Sequence, residues 1–112
     1  MRYVLLIGAD EETAREAIVE GRFGGFAAWL DDLRRRGVLE AHEGLHPSTT
    51  ATTVRVRGGE ILLTDGPYTE AKEQIGGFAL IDCRDLDEAV EIAAGHPAAA
   101  IGQVEIRPVR SR

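Results

Sequence analysis

The sequence predicts an α+β fold, with two helical regions laid on one face of an antiparallel sheet, and three observations carry that prediction. Short segments of clean apolar alternation recur, among them Thr52 to Arg57 and Gln103 to Pro108. A two-residue Gly58-Gly59 connection follows the first of these and leads into Glu60 to Thr64, the signature of an antiparallel hairpin. Two other stretches, from Asp10 to Arg36 and from Asp85 to Gly95, carry apolar residues at helical spacing between strands. The 112 residues read as one domain, 1–112. Two halves of about 55 residues would each be too small to bury a comfortable core.

Arg2 to Gly8 opens as a strand, with Tyr3, Val4, Leu5, Leu6 and Ile7 apolar on both faces, as in a strand covered from both sides or at a dimer interface. From Asp10 a helical pattern starts, its first turn acidic and Ala14, Ala17 and Ile18 at helical spacing. Gly21, Gly24 and Gly25 interrupt it. Each glycine costs ~1 kcal/mol against alanine inside a helix, so two pieces or a bend near Gly21 are predicted. In the second piece Phe23, Phe26, Ala27, Leu30 and Leu33 form one stripe, and Trp29 goes to the core. Arg34, Arg35 and Arg36 stand before Gly37, cations and glycine at the end where dipole and cap favour them.

Val38 to Glu43 is extended again, and Gly44 to Thr50, rich in glycine, proline, serine and threonine, is a loop. In the hairpin Val54 and Val56 point one way and Thr53, Arg55 and Arg57 the other. Asp65-Gly66-Pro67 is a turn, and Tyr68 to Gln74 a polar linker with room for a helical turn. Ile75 to Cys83 is a strand whose Gly76-Gly77 pair marks a bulge or the close approach of another backbone. Asp85 caps a helix with Glu88 three residues on, Leu86, Ala89, Val90 and Ala93 form its buried face, and Gly95 and Pro97 end it. Val104 and Ile106 alternate against Glu105 and Arg107 in the last strand, so the order is β-α-β-β-β-β-α-β. Helices enough for one sheet face leave the other bare, and a homodimer through that face is the simplest cover.

Composition narrows the function classes. At 44% hydrophobic and 29% charged the chain is globular rather than disordered. Its 13 Lys+Arg against 19 Asp+Glu leave a net charge of -6, which opposes direct nucleic-acid binding by phosphate neutralisation. Apolar runs such as Val4 to Ile7 fall far short of the roughly 20 residues of a membrane helix, so no membrane partner is predicted. The single Cys83 cannot form an internal disulfide and reads as an inert core thiol. With no secretory leader pattern at the start, a cytoplasmic setting is predicted.

His42-Glu43-Gly44-Leu45-His46 matches the H-E-x-x-H zinc pattern in letters. That site needs both histidines on one helical turn. Gly44 and Pro47 oppose a helix here, and in extended chain residues four apart lie ~13 Å apart, so no metal is predicted. Asp65, Tyr68, Glu70, Lys72 and Glu73 put acids, a base and a hydroxyl within one short segment, and two readings stand. In one it is a pocket rim, with Glu70 or Asp65 accepting a proton and Lys72 or Arg55 pairing an anionic group. In the other it is a turn whose Glu70, Lys72 and Glu73 make solvated or inter-subunit ion pairs. Arg55 and Arg57 would bind an anion or line an exposed face as partners for Glu43 and Glu105. The three arginines between Arg107 and Arg112 read as a solvated tail. No G-x-x-x-x-G-K-S/T, G-x-G-x-x-G or G-x-S-x-G pattern occurs, and no cofactor is predicted.

Four stretches then stand together: Glu43-Gly44-Leu45 with Pro47, Ala51 to Arg55, the long block Thr64-Asp65-Gly66-Pro67-Tyr68 through Gly76-Gly77-Phe78, and Glu105-Ile106-Arg107-Pro108-Val109. In this order and spacing, and with Asp85-Leu86-Asp87-Glu88-Ala89, the chain resembles the DGPF branch of the YCII-related family along essentially its whole length. The resemblance implies a ferredoxin-like dimeric α+β barrel, two sheets facing each other across a two-fold axis. It also implies an association with extracytoplasmic-function sigma factors, a matter of neighbourhood rather than chemistry. Tyr68 stands where the family usually has Phe, and the region between Ile7 and Phe26 is shorter than usual. A His-Asp pair associated with the first helix of the wider group has no counterpart, since no histidine precedes His42. The resemblance, with no recognisable catalytic constellation in the residues, points to a homodimer of no established activity that holds a small ligand at an interface cavity; in the pocket-rim reading, Arg55, Tyr68, Lys72 and Glu73 are the ligand contacts. The alternative is an enzyme doing acid-base chemistry on a small anionic or carbonyl compound through Asp65, Glu70 or His42.

Overall fold

A computed structural model describes residues 1–110, so Arg112 of the arginine-rich end lies outside the described residues. The strands are β1 (Arg2–Asp10), β2 (Leu39–Gly44), β3 (Thr52–Arg57), β4 (Glu60–Asp65), β5 (Glu73–Asp82) and β6 (Gln103–Pro108). The helices are α1 (Glu11–Val19), α2 (Phe26–Arg35), α3 (Leu86–Ala94) and the short α4 (Ala98–Ile101). Four strands form one antiparallel sheet in the order β2-β5-β1-β6. The strand that is apolar on both faces, β1, therefore takes a central place beside β5.

Alternation along β1 sorts the two sheet faces. Tyr3, Leu5, Ile7 and Ala9 are buried against the helices. Val4 and Leu6 point the other way, beside Leu80 and Phe78 of β5, and all four stay half-buried. Register carries the helix-side row from Ile106 through Leu5 and Ala79 to His42 at the β2 edge. Over that row Trp29 and Leu33 of α2 and Ala89, Ile92 and Ala93 of α3 complete the core. The indole N–H of Trp29 donates to the Ile92 carbonyl at 2.8 Å, which joins α2 to α3 and satisfies a buried donor.

Helix boundaries follow local chemistry. The Asp10 carboxylate accepts the N–H groups of Glu12 and Thr13 and starts α1. The helical region then divides at Gly21, whose φ of 76° is open to glycine, giving the two pieces the sequence predicts. Asp85 accepts the Glu88 N–H at 2.9 Å and starts α3. The sequence reading ended the helices there, and α4 corrects it. Pro97 stands at the head of that short helix, where its fixed φ and missing N–H are harmless.

Both readings of the Gly76-Gly77 pair hold. Ile7 pairs with Gly77 but Gly8 with Ile75, so Gly76 is the extra residue of a bulge. A Cβ on Gly77 would lie 3.0 Å from the Glu43 carbonyl oxygen across the ladder. A tighter approach occurs at Gly102, where a Cβ would meet the Gly8 carbonyl and lie 2.8 Å from the Ala9 Cα. Gly102→Ala is therefore expected to lose about 1–3 kcal/mol of stability by forcing β6 away from β1, read as a lower urea midpoint at unchanged m value.

Three expectations are corrected. The hairpin β3-β4 forms a two-stranded sheet of its own instead of joining the main one. No helical turn forms between Tyr68 and Lys72. The described residues carry four helices where the sequence marked two helical regions, and the sheet of the single chain is open. No helix is long and apolar enough to cross a membrane among the described residues.

Candidate functional site

A cavity of about 200 Å³ opens where α1, the start of α2 and the α3–α4 connection meet the bulged end of the sheet. Its apolar wall is made by Ile7, Ala14, Ile18, Phe23 and Phe26, and its polar groups are Glu11, His42, Gln74 and His96. Glycines 8, 76 and 77 keep the sheet side of the wall free of side chains.

His96 is the most constrained of the polar groups. It sits between α3 and α4 at 4% exposure, with Trp29 edge-on at 4.8 Å and Phe26 at 5.4 Å between ring centres. Its Nδ1 accepts the Ala98 N–H at 2.9 Å. Burial pushes its pKa down to about 4, and the proximity of His42 adds to the shift, so the ring is neutral at neutral pH. A neutral ring whose Nδ1 accepts carries its proton on Nε2. That Nε2–H has no hydrogen-bond partner among the described residues, and no wholly buried side-chain polar atom there is left unpaired. Nε2 therefore keeps part of the small exposure His96 retains, on the cavity that the residue lines.

The other polar groups are held from outside. Ser48, in a 3-10 turn at Ser48–Thr50, donates its N–H at 2.7 Å and its hydroxyl to the Glu11 carboxylate. These two bonds hold Glu11 below the usual carboxylate range and strap the loop after β2 onto α1. The Gln74 amide donates to the carbonyls of Thr69 at 2.9 Å and Ala71 at 2.6 Å, ordering the linker before β5. His42 is half-buried opposite Ala79, its ring 5.1 Å from that of Phe26. Phe26 thus packs against both histidines.

Cavity, bulge, hairpin and helices all fall within one match: the family profile described as YCII-related domain covers residues 1–111. The chain belongs to the YCII-related family. An uncharacterised protein of Rhizobium meliloti (strain 1021) is similar to it, 46% identical over 67 residues, which are 58% of this chain and 54% of that protein. The chain thus spans about half the length of the curated relative it matches.

In this YCII-related chain the residues singled out from sequence occupy several places. Asp65 ends β4 opposite Thr52 and is exposed. Gly66 beside it has a φ of 100°, donates its N–H to the Ala51 carbonyl and accepts the Thr53 hydroxyl, closing the base of the hairpin. Tyr68 is 77% exposed with the Arg55 guanidinium 5.4 Å over its ring. Lys72 pairs with Asp10 at 3.6 Å, while Glu70 and Glu73 face solvent without an ion pair among the described residues. Arg57 does not reach Glu43 or Glu105, and Glu105 pairs instead with Arg107 at 3.2 Å. Tyr68 lines a second, wider groove with His46, Leu45, Pro67 and Ile75, whereas His42 is the sequence candidate that lines the first cavity. His42 and His46 therefore sit on a strand and in the following loop, facing different spaces. Sequence reasoning missed His96, Phe26, Glu11 and Gln74 as site residues. For His96 the available signal was a lone polar residue between Gly95 and Pro97, which also reads as a helix stop.

Proposed function

We propose that this YCII-related protein is a cytoplasmic homodimeric binding module that holds a small molecule in the cavity beneath α1. The observation that carries the reading is a largely apolar cavity with the N–H of a buried histidine, unpaired among the described residues, opening onto it, the usual pairing of apolar body and orienting polar group in a ligand site. The ligand position is thereby moved from the Asp65 to Glu73 rim to the helix side of the sheet. Screening small compounds by thermal melt is expected to yield stabilising hits that Ala14→Leu, which fills the cavity, removes while the protein stays folded. Hits that survive Ala14→Leu would place binding elsewhere.

The dimer is supported by what one chain leaves uncovered. Val4, Leu6, Phe78 and Leu80 form an apolar strip on the face away from the helices. The hairpin exposes Val54, Val56, Ile61 and Leu63, and register puts these four on one side. A two-stranded hairpin is marginal by itself, and a second copy would cover both surfaces. Light scattering is expected to give twice the chain mass, reduced to the chain mass by Leu80→Arg; a monomeric parent would end this part of the reading. Cys83, a free thiol in the core, suits a reducing compartment. An acidic protein is better matched to a protein partner than to DNA, which accommodates the sigma-factor association that the DGPF resemblance implies.

An acid-base enzyme is the second reading, favoured by the presence of His42 on the same cavity. Its check is whether the protein accelerates exchange of α-protons of a small ketone into D2O and whether His42→Asn removes that acceleration.

A further inference from the structure

Among the polar groups of the cavity, commitment differs. Glu11 accepts two hydrogen bonds from Ser48, Gln74 donates two to carbonyls of its own linker, and His96 accepts the Ala98 N–H on Nδ1. The His96 Nε2–H and the His42 ring are left over, with the Gln74 Oε1 as a leftover acceptor among the described residues. His42 lies on an edge strand and is half-buried, so water can serve it. His96 is 4% exposed and packed by Phe23, Phe26 and Trp29, and its Nε2–H opens onto the cavity, so a group that fills the cavity takes the place of water as its partner.

Charge and size restrict that group further. No lysine or arginine lines the cavity, and its one formal charge is the Glu11 carboxylate, which repels an anion. His96 stays neutral and cannot balance an anion either. An apolar cavity of about 150 Å³ accommodates benzene, so about 200 Å³ suits one ring with a short substituent.

We infer that the cavity takes a small neutral molecule, one ring in size, whose carbonyl oxygen accepts the Nε2–H of His96 while its ring lies among Phe23, Phe26 and Ile18. This rests on the ligand-binding reading above and names the ligand class. Phe26 gives the ring its face, and the side-chain-free glycine wall leaves room for the substituent.

Four probes of nearly one shape separate the terms: acetophenone, isopropylbenzene, benzoate and benzamidinium. They are titrated into the wild-type protein at pH 7.5 by calorimetry, with the 15N shift of His96 Nε2 followed by NMR. Acetophenone is expected to bind about five-fold tighter than isopropylbenzene, the worth of one neutral hydrogen bond, and benzoate at least about ten-fold weaker than acetophenone. The Nε2 shift should move with acetophenone and not with isopropylbenzene. His96→Phe should bring acetophenone down to the level of isopropylbenzene, and His96→Gln, which keeps a side-chain N–H, should restore part of the difference. Equal affinity for acetophenone and isopropylbenzene would overturn the role of His96 and leave ligand binding standing. Tightest binding of benzoate or benzamidinium would overturn the neutral class. Binding by none of the four would overturn the ligand-binding reading itself. The wild-type comparison decides among these even where a variant fails to fold.

Discussion

Trp29→Ala is expected to cost about 3–5 kcal/mol, a large part of the stability of a domain this size. The indole is buried in the core between α2 and α3, in a cluster with Leu33, Ile81 and Ile92. Its N–H satisfies the Ile92 carbonyl, its ring stacks on Phe26 at 6.2 Å, and it meets His96 edge-on. Removing it opens a cavity, takes one of two donors from the Ile92 carbonyl, which keeps the Gly95 N–H at 3.1 Å, and exposes His96 together. Trp29→Phe separates these effects: it retains much of the packing but not the donor, and should cost about 1–3 kcal/mol. Urea unfolding followed by circular dichroism is the measurement, since the protein has one tryptophan and the variants lose its fluorescence. A loss below about 1 kcal/mol for Trp29→Ala would mean that α2 does not pack on α3 through this residue.

Stability is expected to fall with acidification well before carboxylates titrate. His96 has its pKa at about 4 in the folded protein against an ordinary value of 6.5. Between those values the unfolded chain binds a proton that the folded chain refuses, so unfolding becomes easier as pH falls. The contribution is fully present above pH 6.5, declines through the window and levels off near pH 4, at up to about 3 kcal/mol from ~1.4 kcal/mol per pH unit. The proximity of His42 adds to the downward shift of His96, and Glu11 is the acidic group on the same cavity. Asp10, Glu11 and Glu88 are also shifted, but downward from ordinary values of 3.8, 4.5 and 4.5, so their stabilisation is lost only below those values. The interval from about pH 5.5 to 6.5 thus reports mainly on histidine. His96→Phe should flatten the stability profile there, and a profile as steep as the parent's would assign the acid sensitivity to another group.

What the sequence disclosed and what it withheld divide along one physical line. Features set by neighbouring residues were legible: the Gly58-Gly59 hairpin, the break at Gly21, the Asp85 cap, and the bulge and close approach at Gly76-Gly77. The segregation of the hairpin into its own sheet was not, because alternation in β3 says which residues share a face and nothing about which strand comes to its edge. Helix α4 was hidden because four residues are too few for a 3.6-residue period, and Pro97 reads equally as a stop or a start. The site was the least legible part. His42 and His96 meet one cavity only because β2 pairs with the outer side of β5 while the α3–α4 connection returns over the same end of the sheet. The Asp65 to Glu73 segment drew attention through its density of charge, and its best-defined local feature is backbone: Gly66 bonded to Ala51 and Thr53.

The single extra residue at Gly76 has an effect out of proportion to its size. Up to Gly77 the odd-numbered positions of β5 share the helix side with Ala79 and Ile81, and an uninterrupted ladder would send Ile75 there next. The insertion inverts the parity of the chain. Ile75 now pairs with Gly8 and leaves for the outer groove, while Gln74, opposite Ala9, takes its turn on the inner wall. One residue of backbone therefore exchanges an aliphatic plug for an amide. It leaves the inner space open where regular pleating would have sent an isoleucine, so the hollow under α1 is written in the counting of a strand.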